Sequence, residues 1–471
     1  MDKHLTSYQT DSLLQSGKRL FRNGLRYDSL AQRAQAKGFE IPLQLIVGRA
    51  EGDFVWDLQD KRYIDFQNGW ATNPLGNCHP EIIEAVHAAH RRYGYHWEHP
   101  LRFELAEKLA EIMPGQQLPR FSFEVSGTEA AESAVHLALC HTRRRHIISF
   151  TSCYHGEGLG TKMISAYSSA NNLYMEAWGG GVIKAPYPYS ENIPADMNPQ
   201  QYVDYCLWYL ESHIPDFIVP AENIAGILIE PGLAEGGNWI PSVEFIQGVR
   251  RICDRHDWLM IADEVLTGLG RTGHMWSVEH YDVLPDILVV GKNLSGGIEP
   301  CAGVAARDDV LGDNPRASGG STFAGTPAGC AAGLKTLEIY RRDNILGQAR
   351  HLSELAQQRM ADWAEKYAVV SEVRSLGLLM GIAFADPAAA AGEAKAANLY
   401  IARSVRNEML KNGVWAICEM EPNVRMYPAL NMDERVMLEG LDITEAAIAA
   451  VQKSGNTIGD YPALPSGVVG F

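Results

Sequence analysis

The sequence predicts an α/β fold in which a mostly parallel sheet is covered by helices and accompanied by a smaller α+β part. Between residues 146 and 306, short apolar runs of strand length alternate with segments of helical periodicity, the pattern that parallel sheets produce. One apolar run, Leu259–Asp263, ends in a carboxylate, and another, Ile287–Gly291, ends just before the amine of Lys292. The 29 residues from Asp263 to Lys292 leave room for one crossover between neighbouring parallel strands, whose carboxyl ends would share a ligand.

Composition excludes several classes of function. The 471-residue chain is 46% hydrophobic, which is globular and long enough for two domains. A net charge of −16 argues against a nucleic-acid surface, and no apolar run reaches the roughly 18 residues of a membrane span. The N-terminus lacks the apolar part of an export signal, and the eight cysteines are too scattered for a disulfide framework or a metal site. We therefore expect a cytoplasmic protein with no metal, membrane or nucleic-acid partner.

The expected elements follow in order along the chain. An amphipathic helix and connector are expected within residues 1–40, and a hairpin within Phe54–Phe66 around a polar turn. Helices are expected at Glu81–Tyr93 and Phe103–Met113. The candidate strands of the sheet are His146–Phe150, Gly181–Ala185, Ile224–Glu230, Leu259–Asp263, Ile287–Gly291 and Ala302–Ala306.

A second α+β part is expected after the sheet. A helix at Ala328–Leu337 leads out of it, and the later helices and strands are expected near 346–366, 377–384, 395–412, 414–418 and 423–427. This pattern predicts one small domain formed by residues 1–65 and 335–471, with residues 66–334 as the large domain. The tail Lys453–Phe471, rich in glycine, proline and serine, is expected to be loosely held.

Two hydroxyl-rich turns are candidate phosphate sites. Ser126, Gly127 and Thr128 lie immediately before a strong helix-forming stretch, and the free N–H groups at such a helix start bind anions. The alternative is an ordinary capping box in which Ser126 pairs with Glu129. The second turn, Gly319–Pro327, contains Thr322, and a plain turn is its alternative.

Further candidates lie just after predicted strands. Tyr154 follows His146–Phe150, where an aromatic ring can stack on a flat heterocycle, and His155 is next to it. A buried structural tyrosine and a histidine that fixes the turn are the alternatives. Glu230 ends another strand, and Glu235 follows in a glycine-rich loop, where acids are commonly just solvated.

Taken together, these motifs resemble the class III aminotransferases, which belong to the fold-type I pyridoxal-phosphate enzymes. The residues that carry the resemblance are Leu75–Pro80, Ser126–Ala130, Tyr154–Gly156, Ile229–Pro231, Asp263–Gly273, Pro285–Asp286, Gly291–Lys292 and Ser321–Pro327. The resemblance implies the fold of a fold-type I transferase, with a large cofactor-binding domain and a small α+β domain from both termini. It also implies pyridoxal 5′-phosphate as the cofactor.

The resemblance assigns roles to the candidates. Lys292 would form a Schiff base with the cofactor and transfer protons as general base and acid, for which its amine must be desolvated. Asp263 would pair with the pyridine nitrogen, Tyr154 would stack on the ring, and Thr322 would reach the phosphate from the neighbouring subunit of a homodimer. The implied cofactor-binding residues are Ser126, Gly127, Thr128, Tyr154, His155, Glu230, Asp263, Lys292 and Thr322.

Substrate contacts are expected from three other residues. Arg425 stands where related enzymes keep an arginine that grips a carboxylate as a bidentate fork. Glu235 matches a glutamate that pairs with that arginine in some relatives, and Trp70 is expected on the pocket wall. The alternative for Arg425 and for Glu235 is an ordinary surface residue.

Three positions depart from the family pattern. Leu266 replaces a glutamine that binds the cofactor's phenolic oxygen, Asn77 replaces a histidine, and Thr326 replaces an asparagine. The resemblance favours an aminotransferase that moves an amino group to a keto or aldehyde acceptor. An aminomutase or a racemase/epimerase on the same fold, and a non-catalytic cofactor-binding protein, are the alternatives, and the donor can be an amino acid, an ω-amine or an amino sugar.

Overall fold

The computed structural model describes residues 45–454 except 97, 168–179, 313–319, 390–393 and 420, together with Ser12 and Ser16, which are helical. Apart from those two serines, the helix expected near the N-terminus lies outside the described residues, as does the expected loose tail after Ser454. None of the described helices is both long and apolar enough to cross a membrane.

A seven-stranded sheet forms the centre of the described chain. Its strand order is β4-β10-β9-β8-β7-β5-β6; the strands from β9 to β6 pair in parallel, whereas β10 is antiparallel to both of its neighbours. The strands of the structure are β1 Val47–Glu51, β2 Phe54–Asp57, β3 Arg62–Asp65, β4 Arg120–Glu124, β5 His146–Phe150, β6 Val182–Ala185, β7 Ile224–Ile229, β8 Leu259–Asp263, β9 Ile287–Val290, β10 Ala302–Ala306, β11 Val370–Leu376, β12 Leu379–Phe384, β13 Val414–Trp415 and β14 Asn423–Met426. The predicted fold class is confirmed, although β4 and its place beside β10 were not predicted.

Helices cover both faces of this sheet. Alternate residues of β5 divide between two apolar clusters: Ile147 packs with helix Gly127–Thr142, and Ile148 packs with helix Val243–His256. Four of the longer helices begin at a proline, whose fixed φ and missing N–H suit the first helical position. The longer helices are Pro80–Tyr93, Pro100–Ile112, Gly127–Thr142, Pro199–Trp208, Val243–His256, Pro327–Arg342, Ile345–Met360, Ala394–Lys411 and Glu434–Ser454.

Two smaller sheets complete the described fold. In the first, β1, β2 and β3 are antiparallel, and β3 also pairs in parallel with β13, where Ile64 lies opposite Val414. The second contains β11, β12 and β14. The hairpin expected at Phe54–Phe66 is formed by β2 and β3, whereas β1 and β11 were not predicted. The strand expected from Gly377 begins only at Leu379, because Gly377 has a φ of 59° and forms the turn before it.

Candidate active site

The carboxyl ends of β7, β8 and β9 surround one cavity of about 150 Å³. Ligands of open α/β sheets bind at this edge. Eight of the predicted site residues line the cavity: Gly127, Thr128, Tyr154, His155, Glu230, Glu235, Asp263 and Lys292. Residues separated by more than 160 positions in the sequence are therefore brought together by strand order.

Lys292 follows β9 after one residue, Gly291, and its partly buried side chain lines this cavity. Its backbone has a φ of 41°, a left-handed conformation that turns the chain sharply after Gly291. Burial lowers the pKa of the Lys292 amine, and the nearby carboxylates of Glu235 and Asp263 act in the opposite direction. A lowered pKa increases the neutral fraction of the amine, which is the nucleophilic form.

Asp263 is paired with His155, which also lines the cavity. Its Oδ2 lies 2.7 Å from Nδ1 of His155, and its Oδ1 accepts a hydrogen bond from Val265 N at 3.1 Å. Burial acts to lower the pKa of His155, but the adjacent Cys153 and the carboxylate of Asp263 outweigh burial and raise this pKa to about 10. The raised pKa favours the cationic form of His155, which forms an ion pair with Asp263.

Glu230 organises the loop that carries the aromatic candidate. Its carboxylate accepts hydrogen bonds from Tyr154 N at 2.7 Å and from Ala234 N at 3.1 Å. Burial raises the pKa of Glu230 to about 7. The ring of Tyr154 is held from behind by Tyr167, whose ring meets it edge-on with centroids 5.1 Å apart. Glu230 thus positions backbone, whereas Tyr154 presents its ring to the cavity.

The start of helix Gly127–Thr142 lines the end of the cavity at which a phosphate was expected to bind. Ser126 Oγ accepts a hydrogen bond from Glu129 N at 3.3 Å, while Glu129 Oε2 accepts from Val125 N at 3.0 Å. Ser126 is therefore an N-cap without the reciprocal bond of a capping box. A side chain at Gly127 would lie 2.8 Å from Val265 Cγ1, so glycine is needed for this close approach.

Arg425 and Glu235 form an ion pair beside the cavity. Arg425 Nη1 lies 2.9 Å from Glu235 Oε2 and also donates to Ala234 O at 3.2 Å. The two side chains are 4% and 17% exposed, respectively, so the pair is largely shielded from water. Burial acts to lower the pKa of Arg425, but the charge of Glu235 outweighs it and raises this pKa. Arg425 and Glu235 are therefore not exposed surface residues, which was the alternative given for each of them above.

A left-handed turn near the cavity was not predicted. The four consecutive residues Asn68–Ala71 have φ values between 53° and 63°. Such backbone costs roughly 1–2 kcal/mol for each residue other than glycine, so the surrounding structure has to hold it. Asn68-Gly69 is the one sequence signal for this conformation, because both residue types tolerate positive φ. Trp70, in the middle of the turn, is 41% exposed and is not among the described residues that line the cavity.

Leu266 and Thr322 have different surroundings. Leu266 lines the cavity and belongs to a buried apolar cluster with Ala71 and Ala234. Its side chain has no hydrogen-bonding atom, as expected from the sequence. Thr322 is exposed in a turn closed by Ala324 N donating to Ser321 O at 3.0 Å, and within the described chain it does not line the cavity.

Comparison with known proteins decides the family. The sequence model of the family described as "Aminotransferase class-III" matches residues 35–448, which is most of the chain. The chain belongs to the class-III aminotransferase family. This aminotransferase is 31% identical over 424 residues to a probable 4-aminobutyrate aminotransferase of Bacillus subtilis (strain 168), with 88% of this chain and 95% of that protein covered.

Two further relatives bear on cofactor and reaction. The aminotransferase is 29% identical over 420 residues to a leucine/methionine racemase of Thermococcus litoralis, covering 87% of this chain and 91% of that protein. A solved amine transaminase from an uncultivated Pseudomonas species, with pyridoxal phosphate bound, matches with a TM-score of 0.77 and 25% identity, covering 88% and 95% of the two chains. The predicted family, enzyme class and cofactor are confirmed: this is a pyridoxal-phosphate-dependent aminotransferase.

The cavity fits this cofactor. It brings together the amine of Lys292, a carboxylate paired with a histidine, and the N-terminal end of a helix at Gly127. These groups suit an aldehyde, a protonated pyridine nitrogen and a phosphate, respectively. The residue roles themselves stay predictions.

Proposed function

We propose that Lys292 is the residue to which pyridoxal phosphate is attached and that it moves the proton during transamination. The observation that carries this proposal is that Lys292 lines the same cavity as the Asp263–His155 pair. When bound, the cofactor supplies an electron-withdrawing ring that stabilises negative charge on the substrate carbon. Lys292 Nζ accepts and returns the substrate proton, and Asp263 pairs with the pyridine nitrogen and keeps it protonated.

The other cofactor contacts are proposed from the same cavity. Gly127 and Thr128 would hold the phosphate through the helix start, assisted by the Ser126 cap. Tyr154 would stack on the ring, and Glu230 would fix the loop on which Tyr154 lies. The charged ring of His155 would support Asp263 from behind, an arrangement that the 2.7 Å contact supports.

We propose that substrate carboxylates bind Arg425 in place of Glu235. A guanidinium binds a carboxylate as a bidentate fork, and the existing ion pair at 2.9 Å keeps Arg425 neutralised when a substrate without a carboxylate is bound. Trp70 is proposed as a further substrate contact because it belongs to the turn whose Ala71 packs in the same cluster as Leu266.

We propose a homodimer in which Thr322 reaches the phosphate of the partner subunit. Beside it, Phe323 is 59% exposed, and its ring lies 5.0 Å from that of the exposed Tyr95, so two exposed aromatic rings lie next to each other at this turn. Apolar patches rimmed by polar residues mark interaction sites. Sedimentation of the wild type and of Phe323→Glu tests this: a dimer that becomes monomeric and loses cofactor supports the proposal, whereas a monomeric active wild type contradicts it.

Two other predictions remain proposals. Residues 1–65 and 335–471 would form one small domain and residues 66–334 the large one, which the pairing of β3 with β13 supports. A cytoplasmic location is supported by the free thiols of the eight cysteines.

Spectroscopy tests the proposed attachment site. Purified protein with pyridoxal phosphate is expected to show the visible absorbance band of a lysine-bound cofactor, and Lys292→Ala is expected to lose it. Lys184→Ala, at another partly buried lysine that does not line the cavity, should keep the band. Retention of the band in Lys292→Ala would sink the proposal.

A panel of amino donors then identifies the reaction. An aminotransferase converts the cofactor to its amine form with the donor alone and releases a keto acid or aldehyde, whereas a racemase returns the inverted donor. The panel should include an amino acid, an ω-amine and an amino sugar, since the donor is not specified by the residues of the cavity.

A further inference from the structure

Asp65, at the end of β3, is a buried carboxylate outside the cavity. It is 2% exposed, and within the described chain no lysine, arginine or histidine forms an ion pair with it. Its Oδ1 accepts hydrogen bonds from Gln67 N at 3.1 Å and Asn68 N at 2.6 Å. A buried carboxylate without a counter-ion is costly, and its hydrogen bonds are what make it tolerable. Here those bonds go to Gln67, which precedes the left-handed turn, and to Asn68, the first residue of the turn.

Asn77 extends this arrangement through its side-chain amide. Its Nδ2 donates to the other Asp65 oxygen, Oδ2, at 2.9 Å and to Gly52 O at 3.1 Å. Its Oδ1 accepts from Asn73 Nδ2 at 2.7 Å. The donor and the acceptor of one amide are therefore both used, which fixes its orientation. Asp65, Asn77 and Asn73 form a continuous network, named here the Asp65 network.

The Asp65 network reaches the turn that carries Lys292. A side chain at Gly297 would lie 1.7 Å from Asn73 Oδ1, so Asn73 occupies the space that glycine leaves free. Gly297 follows the single helical turn Lys292–Ser295 by two residues. The same network is therefore packed against the chain on the far side of the catalytic lysine.

The left-handed turn also contacts the cavity wall. Ala71, its last residue, belongs to the buried cluster that contains Leu266 and Ala234, and both of these line the cavity. Ala71 N donates to Gln67 O at 3.1 Å, and Thr72 N donates to Asn68 O at 3.0 Å. The turn is thus a hydrogen-bonded connection between Asp65 and the cavity wall.

We propose that Asp65 is a positioning residue of the active site. Together with Asn77, it fixes the left-handed turn that positions Trp70 and packs against Leu266 in the cavity wall. Through Asn73, it also packs against Gly297 in the turn that follows Lys292. The effect on substrate choice rests on the proposed function, but the placement of Trp70 does not. Asp65 touches neither substrate nor cofactor in this role; it acts through the residues that do.

An exchange of side chains tests the network. Asp65→Asn places an NH₂ group against Asn77 Nδ2, so two donors face each other. The double variant Asp65→Asn/Asn77→Asp restores a donor and an acceptor across the same contact and still accepts from Asn73. It loses the side-chain bond to Gly52 O, which keeps its hydrogen bond from the backbone N of residue 77 at 2.8 Å, so a partial return is expected. Asp53→Asn is the matched control, because Asp53 is a neighbouring acid whose carboxylate accepts from Asp433 N at 3.0 Å instead of holding the turn.

The first measurement is ¹⁹F NMR of protein labelled with 5-fluorotryptophan, in which Trp70→Phe assigns the Trp70 signal. We expect that signal to shift or broaden in Asp65→Asn, to return toward its original position in the double variant, and to stay unchanged in Asp53→Asn. An unaltered Trp70 signal in folded Asp65→Asn overturns the proposal. Failure of the double variant to restore the signal overturns the part assigned to Asn77.

The second measurement is kinetic. The ratio of kcat/KM for a small and a bulky amine should change by about tenfold in Asp65→Asn, as a methylene-sized change in a pocket does, and return in the double variant. Equal loss for both amines would indicate a purely structural role and refute positioning. If the wild type transaminates no donor, the proposed function fails while the NMR result still decides the placement. If Asp65→Asn does not fold, Asn77→Ser, which removes the donor to Asp65 Oδ2, is measured in its place, with the same expected direction.

Discussion

Removing the carboxylate of Glu235 should make this aminotransferase bind carboxylate ligands more tightly. Glu235 and Arg425 are paired at 2.9 Å and shielded from water, so an incoming carboxylate has to displace Glu235 from the guanidinium. Removing one partner of a buried, hydrogen-bonded charge pair costs about 2–5 kcal/mol. Glutamine keeps a neutral hydrogen bond to the guanidinium, so we use the lower value. Relief of about 2 kcal/mol of competition corresponds to roughly thirtyfold tighter binding. The assay is calorimetric binding of glutarate, which cannot be transaminated, to wild type and Glu235→Gln.

The same variant should be less stable, because Arg425 then lies buried without its counter-ion. Tighter binding in a less stable protein is a combination that general damage to the fold would not produce. Glu157→Gln is the control: Glu157 also lies close to the cavity, but it is exposed and pairs with Lys162 at 3.1 Å. Equal glutarate affinity in wild type and Glu235→Gln, or weaker binding in the variant, would refute the competition between the two carboxylates.

Three further predictions concern the cavity and its support. Burial lowers the pKa of Lys292 below its unfolded value of about 10.4, so the unfolded chain binds the proton more tightly, and stability rises with pH between the folded and the unfolded pKa. Lys292→Met should therefore raise the Tm of the cofactor-free protein near neutral pH. In a pH series this gain in Tm should shrink as the pH approaches about 10.4. Gly297→Ala should lower the free energy of unfolding by about 2–4 kcal/mol in urea titrations, from overlap and positive φ, whereas Gly180→Ala, with open space around it, should change it little. Asp263→Asn should slow the donor half-reaction at least about a hundredfold in stopped-flow absorbance while the cofactor stays bound, and an unchanged rate would contradict its pairing with the pyridine nitrogen.

The central sheet was predictable because its strands carry strong local signals. The largely buried strands His146–Phe150, Leu259–Asp263 and Ala302–Ala306 are short and mostly apolar, and the structure gives them the predicted bounds. Parallel strands bring their carboxyl ends to one edge, so an acid and an amine at two strand ends were expected to meet. The cavity contains both Asp263 and Lys292.

Pairings between distant residues were not predictable from the sequence. β4, Arg120–Glu124, is only five residues long, and its place in the sheet depends on its antiparallel pairing with β10, about 180 residues later in the chain. The hydrogen bond between His155 and Asp263 joins residues 108 positions apart, and local sequence around either one contains no sign of it. The left-handed turn at Asn68–Ala71 likewise depends on a carboxylate and an amide that the fold supplies.

The pairing of β3 with β13 sets an order of events during synthesis. Ile64 lies opposite Val414, so β3 completes its sheet only after about 350 more residues have been added to the chain. Ribosomes add roughly 5–20 residues per second, which leaves β3 without this neighbour for roughly 20–70 s. Asp65 is the last residue of that strand. During this interval the nascent chain exposes a strand edge that a chaperone can protect, and the active site cannot take its final form until the C-terminal part has emerged.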